Sequence, residues 1–185
     1  MYRDTVGKVT VGVGLMLPDA SAATELPFLR DGRVGTPVEI TADFARVAAM
    51  VEGKPAEFYR AGDSPNLAQT TIDARLREVL LGFEDKLRAA IRGYDGIPAA
   101  VKLALLDMAY NLGPAGLLAG YPRLVAAVEQ GHWTQAAAEC LRHGPSAARN
   151  AWTRQQFLAA VVGTIRAEAD DWLATARRGL KKLRK

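Results

Sequence analysis

Asp4 and Thr10 are the two residues of this chain whose types and spacing best suit joint work on a water molecule. A carboxylate can orient water or take its proton, while a Thr hydroxyl both donates to and accepts from that water. They stand in Tyr2-Arg3-Asp4-Thr5-Val6-Gly7-Lys8-Val9-Thr10-Val11-Gly12-Val13-Gly14. From Lys8 to Val13, polar or small residues alternate with Val9, Val11 and Val13, the period of a strand with one buried face. Gly7, Gly12 and Gly14 supply tight turns. A hairpin is predicted, with Asp4 just before it and Thr10 within it. The same residues also suit a plain turn, the Asp initiating it and the Thr favouring a strand.

Three further stretches combine with this one. Ala104-Leu105-Leu106-Asp107-Met108-Ala109-Tyr110-Asn111-Leu112-Gly113 reads as an apolar helix closing on a polar residue and a Gly. Gly131-His132-Trp133-Thr134-Gln135-Ala136-Ala137 sets a Trp at a helix start, and Arg149 precedes Phe157 by eight positions after Gly144-Pro145-Ser146. In order and spacing the four resemble the phage T4-type lysozymes, the muramidases of glycoside hydrolase family 24. The resemblance implies that Asp4 and Thr10 orient the attacking water at the β-1,4 bond between N-acetylmuramic acid and N-acetylglucosamine, with inversion. It also implies that Arg149 holds the general acid and adjusts its proton affinity, and that Asn111 and Tyr110 line a sugar-binding cleft. Read from the residues alone, Asn111 equally suits a helix C-terminus leading into Gly113. Tyr110 and Trp133 equally suit core packing.

The departures from the family shape the expectations as much. The family's general acid is a Glu nine positions before the catalytic Asp, on the first helix, and nine positions before Asp4 precedes Met1. The chain as written is therefore expected to lack it, at a cost on the order of a hundred- to ten-thousand-fold in rate. Leu15 stands where the family has a His, and Pro18 to Gly62 reads as an insertion. Glu25, Glu39, Glu52 and Glu57 lie in or near that insertion as substitutes for the acid. Two functions follow: a peptidoglycan-cleaving muramidase, such as a phage endolysin or a delivered antibacterial effector, or a weakly active lysozyme-like module that binds glycan or a partner.

Composition is compatible with either. A chain of 185 residues with 49% hydrophobic content can bury one sizeable core or two small lobes. Cys140 alone cannot form an intrachain disulfide and is expected to pack as a small hydrophobe. His132 and His143 form no zinc-ligand spacing, so neither metal nor cofactor is expected. A net charge of +4 and a pI near 9.4 favour polyanions. Much of that charge is terminal, in Arg177, Arg178, Lys181, Lys182, Arg184 and Lys185, which suits either an anionic wall or membrane surface or a solvated helix end. No aromatic interleaving marks a nucleic-acid surface, and no apolar run spans a membrane. A cytoplasmic origin without signal peptide, action in the periplasm or wall after delivery or lysis, and a monomeric state are expected.

The elements that must position these residues are predicted as follows. Thr41 caps a helix from Ala42 to Val51, with Phe44, Val47, Ala48 and Val51 on one face and Gly53 ending it. Thr70 and Asp73 form a capping box for a long helix from Thr71 to Arg92, which Gly93 stops. Pro98 opens an apolar helix ended by Gly113-Pro114, Pro122 starts a short one, Trp133 another running to about Gly144, and Ser146 caps the helix of Arg149. The fold class expected is α+β, mostly α, lysozyme-like: a small β-hairpin lobe over 1–70 and a helical lobe over 71–163, joined by the long helix. An extra basic helix over 164–185, with Ile165, Ala169, Trp172, Leu173, Ala176 and Leu180 at helical spacing, completes one domain.

Overall fold

The computed structural model describes residues 1–182, with side chains throughout except at 168–169 and 171–182. Helix accounts for 62% and strand for 7%, so the class is α+β and mostly α. The chain divides into two compact units, Met1–Val79 and Leu80–Lys185.

The first unit opens on the expected hairpin, extended to three strands. β1 (Tyr2–Arg3), β2 (Val9–Val11) and β3 (Leu15–Met16) pair antiparallel in that order, with Tyr2 opposite Thr10 and Thr10 opposite Met16. The strand stops earlier than the valine alternation implies. Gly12 turns the chain at φ 60, which leaves Val13 54% exposed, while Thr10 is buried along with Val9 and Val11. After β3 come α1 (Ala20–Thr24), the β4 (Leu29–Arg30) and β5 (Arg33–Val34) hairpin, and α2 (Pro37–Ala48).

The stretch from Pro18 to Gly62 supplies much of the core of this unit. Ala23, Leu26, Phe28, Ile40, Val47 and Tyr59 bury themselves with Val9, Val11 and Leu17 as the core of this unit. The start of α2 differs from expectation: the cap is Thr36, not Thr41. The Thr36 hydroxyl accepts from the Glu39 amide, the Glu39 carboxylate accepts from the Thr36 amide, and Pro37 fills the first helical position. Thr-Pro-Val-Glu is a complete capping box and takes the helix start from Thr41.

α3 (Gln69–Ala90) is the long helix, and the division between the units falls inside it at Val79, not at residue 70. Its first turn lacks the Thr70 box, because Asp73 accepts instead from the Gln69 side-chain amide at 2.8 Å. Gly93, in the left-handed region at φ 75, turns the chain after the helix, as predicted.

The second unit is helical: α4 (Ala99–Leu112), α5 (Pro114–Gly120), α6 (Pro122–Glu129), α7 (Trp133–Glu139) and α8 (Ala147–Lys182). α4 is its axis, with Val101, Ala104, Leu105, Met108 and Ala109 buried against Leu117, Leu124, Ala136 and Phe157. α5 is an element the sequence reading lacks; Gly113 takes φ 73, so the chain turns and Pro114 starts a fresh helix at once. α7 ends at Glu139, where Cys140 is buried with its thiol on the Ala137 carbonyl. Ser146 does cap α8, accepting from the Arg149 amide at 3.2 Å.

α8 runs through the boundary expected at 163/164, because Gly163 is carried inside a helix of 36 residues. Ile165 on it is 61% exposed. The basic cluster Arg177, Arg178, Lys181, Lys182, Arg184 and Lys185, and the stripe Ala169, Trp172, Leu173, Ala176 and Leu180, lie outside the described side chains. Among the described residues, no helix is long and apolar enough to cross a membrane.

Candidate active site

The hairpin turn uses one carboxylate oxygen of Asp4 and leaves the other. Oδ1 accepts from the Val6 amide at 3.0 Å and the Lys8 amide at 2.8 Å. The Asp4 amide donates to the Lys8 carbonyl at 2.9 Å, and Gly7, at φ 77, closes the turn by donating to the Asp4 carbonyl. Among the described residues, Oδ2 receives only the Thr10 hydroxyl, at 3.4 Å, and that hydroxyl is also 3.2 Å from the Lys8 carbonyl. A hydroxyl has one proton. It can therefore satisfy one of the two acceptors, and Oδ2 keeps lone pairs for a further donor such as water.

The backbone leading from β1 into Asp4 is pinned by Tyr59 and Gly53. Buried Tyr59 sets its hydroxyl 2.8 Å from the Arg3 carbonyl and 2.7 Å from that of Val51, and the Gly53 amide donates to both the Arg3 and Asp4 carbonyls. Arg3 spans the turn, donating to the Gly7 and Met50 carbonyls, and lies 3.6 Å from Glu52. In the β1–β2 register Arg3 stands opposite Val9 while Tyr2 stands opposite Thr10, and successive strand residues face opposite sides. Glu52 reaches the turn backbone there: a Cβ added at Gly7 would meet its Oε2 at 2.6 Å.

The other candidate acids fare no better. Glu39 is engaged by Arg33, Arg30 and Thr36, and hydrogen bonds from Arg33 and then Thr36 hold its carboxyl far below the usual carboxylate range. Its oxygens are taken up by the α2 cap and by two guanidiniums. Glu25 and Glu57 are exposed.

The remaining predicted residues sit in the helical unit. Tyr110 is half-buried near the end of α4, and Asn111 is exposed beside it. Burial pushes the Tyr110 hydroxyl pKa up, opposed by the charge of Arg149, so the two side chains share one electrostatic neighbourhood. Arg149, expected to position a catalytic acid, is committed to Asp107: its Nε and Nη2 lie 2.8 Å and 2.7 Å from Oδ1.

Asp107 also holds a second guanidinium that sequence reasoning missed. Arg142 Nη2 is 2.7 Å from Asp107 Oδ2, and the Thr153 hydroxyl 2.8 Å from the same oxygen. Arg142 Nη1 donates to the Asp107 carbonyl, and Asn150 bonds the Arg142 backbone on both sides. For Asp107, burial is the largest influence and works against ionisation, but the bonds from Arg149, Thr153 and Arg142 together outweigh it and hold the carboxyl below its ordinary value. The available signal was Asp107 itself, a carboxylate in an otherwise apolar helix that had to find partners. Nothing around Arg142 marked it.

The structure thus brings Asp4 to Thr10 in one unit, and sets Arg149 on Asp107 in the other. In the first unit a cavity of about 570 Å³ is lined by Tyr2, Val11, Gly12, Arg60, Asn66 and Ile72 among others, a volume in the range of small-ligand sites. Tyr2 is the register partner of Thr10, so the cavity adjoins the strand pair that carries the site. No family model, curated protein or solved structure matches this chain. The arrangement must therefore be read on its own chemistry. Among the described residues no group of three or more His, Cys, Asp or Glu is placed to hold a metal ion.

Proposed function

We propose that this chain is a lysozyme-like glycoside hydrolase that cleaves peptidoglycan at the β-1,4 bond between N-acetylmuramic acid and N-acetylglucosamine, with inversion. The observation that carries the reading is the split of the Asp4 carboxylate. Oδ1 is fixed by two backbone amides, while Oδ2 stays open beside a buried Thr hydroxyl. An inverting hydrolysis needs a carboxylate held so that it accepts a proton from one water on one face of the sugar. Asp4 is the base in this scheme, Thr10 fixes the direction of that water's remaining lone pair or proton, and the leaving sugar oxygen takes its proton from solvent water, which makes the turnover slow. Peptidoglycan is the substrate and partner, and the site of action is the periplasm or wall after delivery or lysis.

Asp4→Asn is an informative test because the amide oxygen can still accept from Val6 and Lys8, so the turn survives while the base is lost. We expect purified peptidoglycan to clear slowly with the wild type, and Asp4→Asn and Thr10→Val to slow clearing by a further hundredfold or so with unchanged circular dichroism. The first sugar released should carry the α-anomeric configuration by NMR. Clearing that ignores Asp4 would refute the assignment. A second reading, a glycan-binding module with weak or no hydrolysis, draws on one observation: the described contacts of the Asp4 carboxylate are two amides and a hydroxyl, with no second carboxyl among them. Glycan binding without clearing by the wild type would favour it.

A further inference from the structure

A cavity of about 720 Å³ lies within the second unit, between the end of α7 and the first turns of α8. It is hollow because its facing walls are short: Ala137 and Ala138 on one helix, Ala147 and Ala151 one turn apart on the other. Cys140 lines it too, 2% exposed, with its thiol committed to the Ala137 carbonyl. Burial pushes that thiol's pKa up, against the charges of Arg142 and Arg154, so this part of the lining is neutral. Leu141 adds apolar surface and is 66% exposed to water. The volume is in the range of small-ligand pockets.

The polar side chains of the lining are not equivalent. Asn150 spends its amide on the backbone of Arg142. Arg154, one turn further along α8, and Gln155 have no side-chain partner among the described residues, and both are exposed. Of the two cations that act on Cys140, Arg142 is buried and paired with Asp107, which leaves Arg154 as the uncompensated charge. An apolar hollow edged by one free guanidinium matches a molecule with an apolar chain and a planar oxyanion at one end. A peptide fits less well, because its amides would enter the hollow with Gln155 as the one uncharged free side chain to meet them.

We propose that this cavity binds a medium-chain fatty acid, its carboxylate on Arg154 with Gln155 donating beside it, and its chain between the alanine walls. The site belongs to the second unit alone and is independent of the Asp4 chemistry.

Calorimetric titration of the full chain with octanoate, octanol and octylammonium tests it. Octanoate should bind at least tenfold more tightly than octanol, the gain typical of a charge-assisted hydrogen bond, and octylammonium should bind most weakly. Hexanoate and decanoate should bracket octanoate by about fourfold per methylene until the hollow is full. Arg154→Gln should bring octanoate to the affinity of octanol and leave octanol unchanged. Ala151→Leu, at an exposed helix position, fills the hollow and should weaken both at least tenfold. Cys140 is the single cysteine of the chain, so saturating octanoate should also slow its labelling by a maleimide at least tenfold. Octanoate binding no more tightly than octanol would overturn the carboxylate assignment. Absence of binding, or binding that ignores both substitutions and so reflects adsorption elsewhere, would overturn the site.

Discussion

Replacing Asp107 by Asn exchanges one carboxylate oxygen for an NH2 and should cost the helical unit about 3–6 kcal/mol. Asn can accept through one oxygen, but its NH2 then faces a guanidinium donor, whichever way the amide is turned. The loss falls unequally. Arg149, 41% exposed, can turn to water, and a surface pair of that kind contributes at most about 1 kcal/mol. Arg142, with a fully buried side chain, cannot follow. It keeps the Asp107 carbonyl at 3.1 Å and Thr153 at 2.7 Å but no counter-charge. Stranding a buried charge costs about 3–5 kcal/mol. For a unit of this size the total is a fall in Tm on the order of 10–20 °C. Thermal and urea unfolding of Asp107→Asn beside Arg149→Gln measures the asymmetry, and Asp107→Asn costing no more than Arg149→Gln would refute the reasoning. The pH dependence gives a second check. The folded pKa of Asp107 lies below its ordinary 3.8, so its stabilisation is complete above that value and is lost as pH falls through the folded value. The stability gap between wild type and Asp107→Asn should therefore narrow on acidification below about pH 4; a constant gap would count against it.

Two other substitutions test the first unit. Gly7→Ala places a side chain at φ 77 and displaces Glu52, a flexible neighbour, so backbone strain of about 1–2 kcal/mol should dominate in urea titration, and Gly7→Asn should cost less because Asn tolerates that region. Thr36→Ala removes the α2 cap and should lower stability by about 1 kcal/mol, with Thr36→Ser close to wild type; equal loss in both would discount the capping box.

Legibility in the sequence followed the range over which each feature is determined. The hairpin, the Gly93 turn, the Ser146 cap and the buried face of α4 are set by residues within a few positions of one another, and the sequence carries them. The start of α2 was equally local, yet Thr41 drew attention because it directly precedes the apolar face; the competing Thr36-Pro37-Val38-Glu39 box satisfies more backbone donors and prevails. Gly113-Pro114 reads as a stop, although a Gly at positive φ before a Pro serves as well to restart a helix in a new direction. The boundary expected at 163/164 falls at Gly163, but a single Gly costs a helix only about 1 kcal/mol, and α8 continues through it.

The site divides along the same line. Asp4 and Thr10 are six positions apart and joined by one turn, so their meeting follows from the hairpin register. Arg142 meets Asp107 across 35 positions, between an apolar helix and a loop, and no local pattern encodes that. The one legible sign was energetic. A carboxylate placed among Leu105, Leu106, Met108 and Ala109 needs cationic partners to remain ionised when buried, and Arg149 alone, being partly exposed, leaves Oδ2 unsatisfied. Completing that acceptor requires a second donor of higher burial, which identifies the kind of residue to look for though not its position. A charged residue in an apolar helix is thus best read as a demand on the rest of the chain, and counting how many cations answer it shows whether a charge is left over to do anything else.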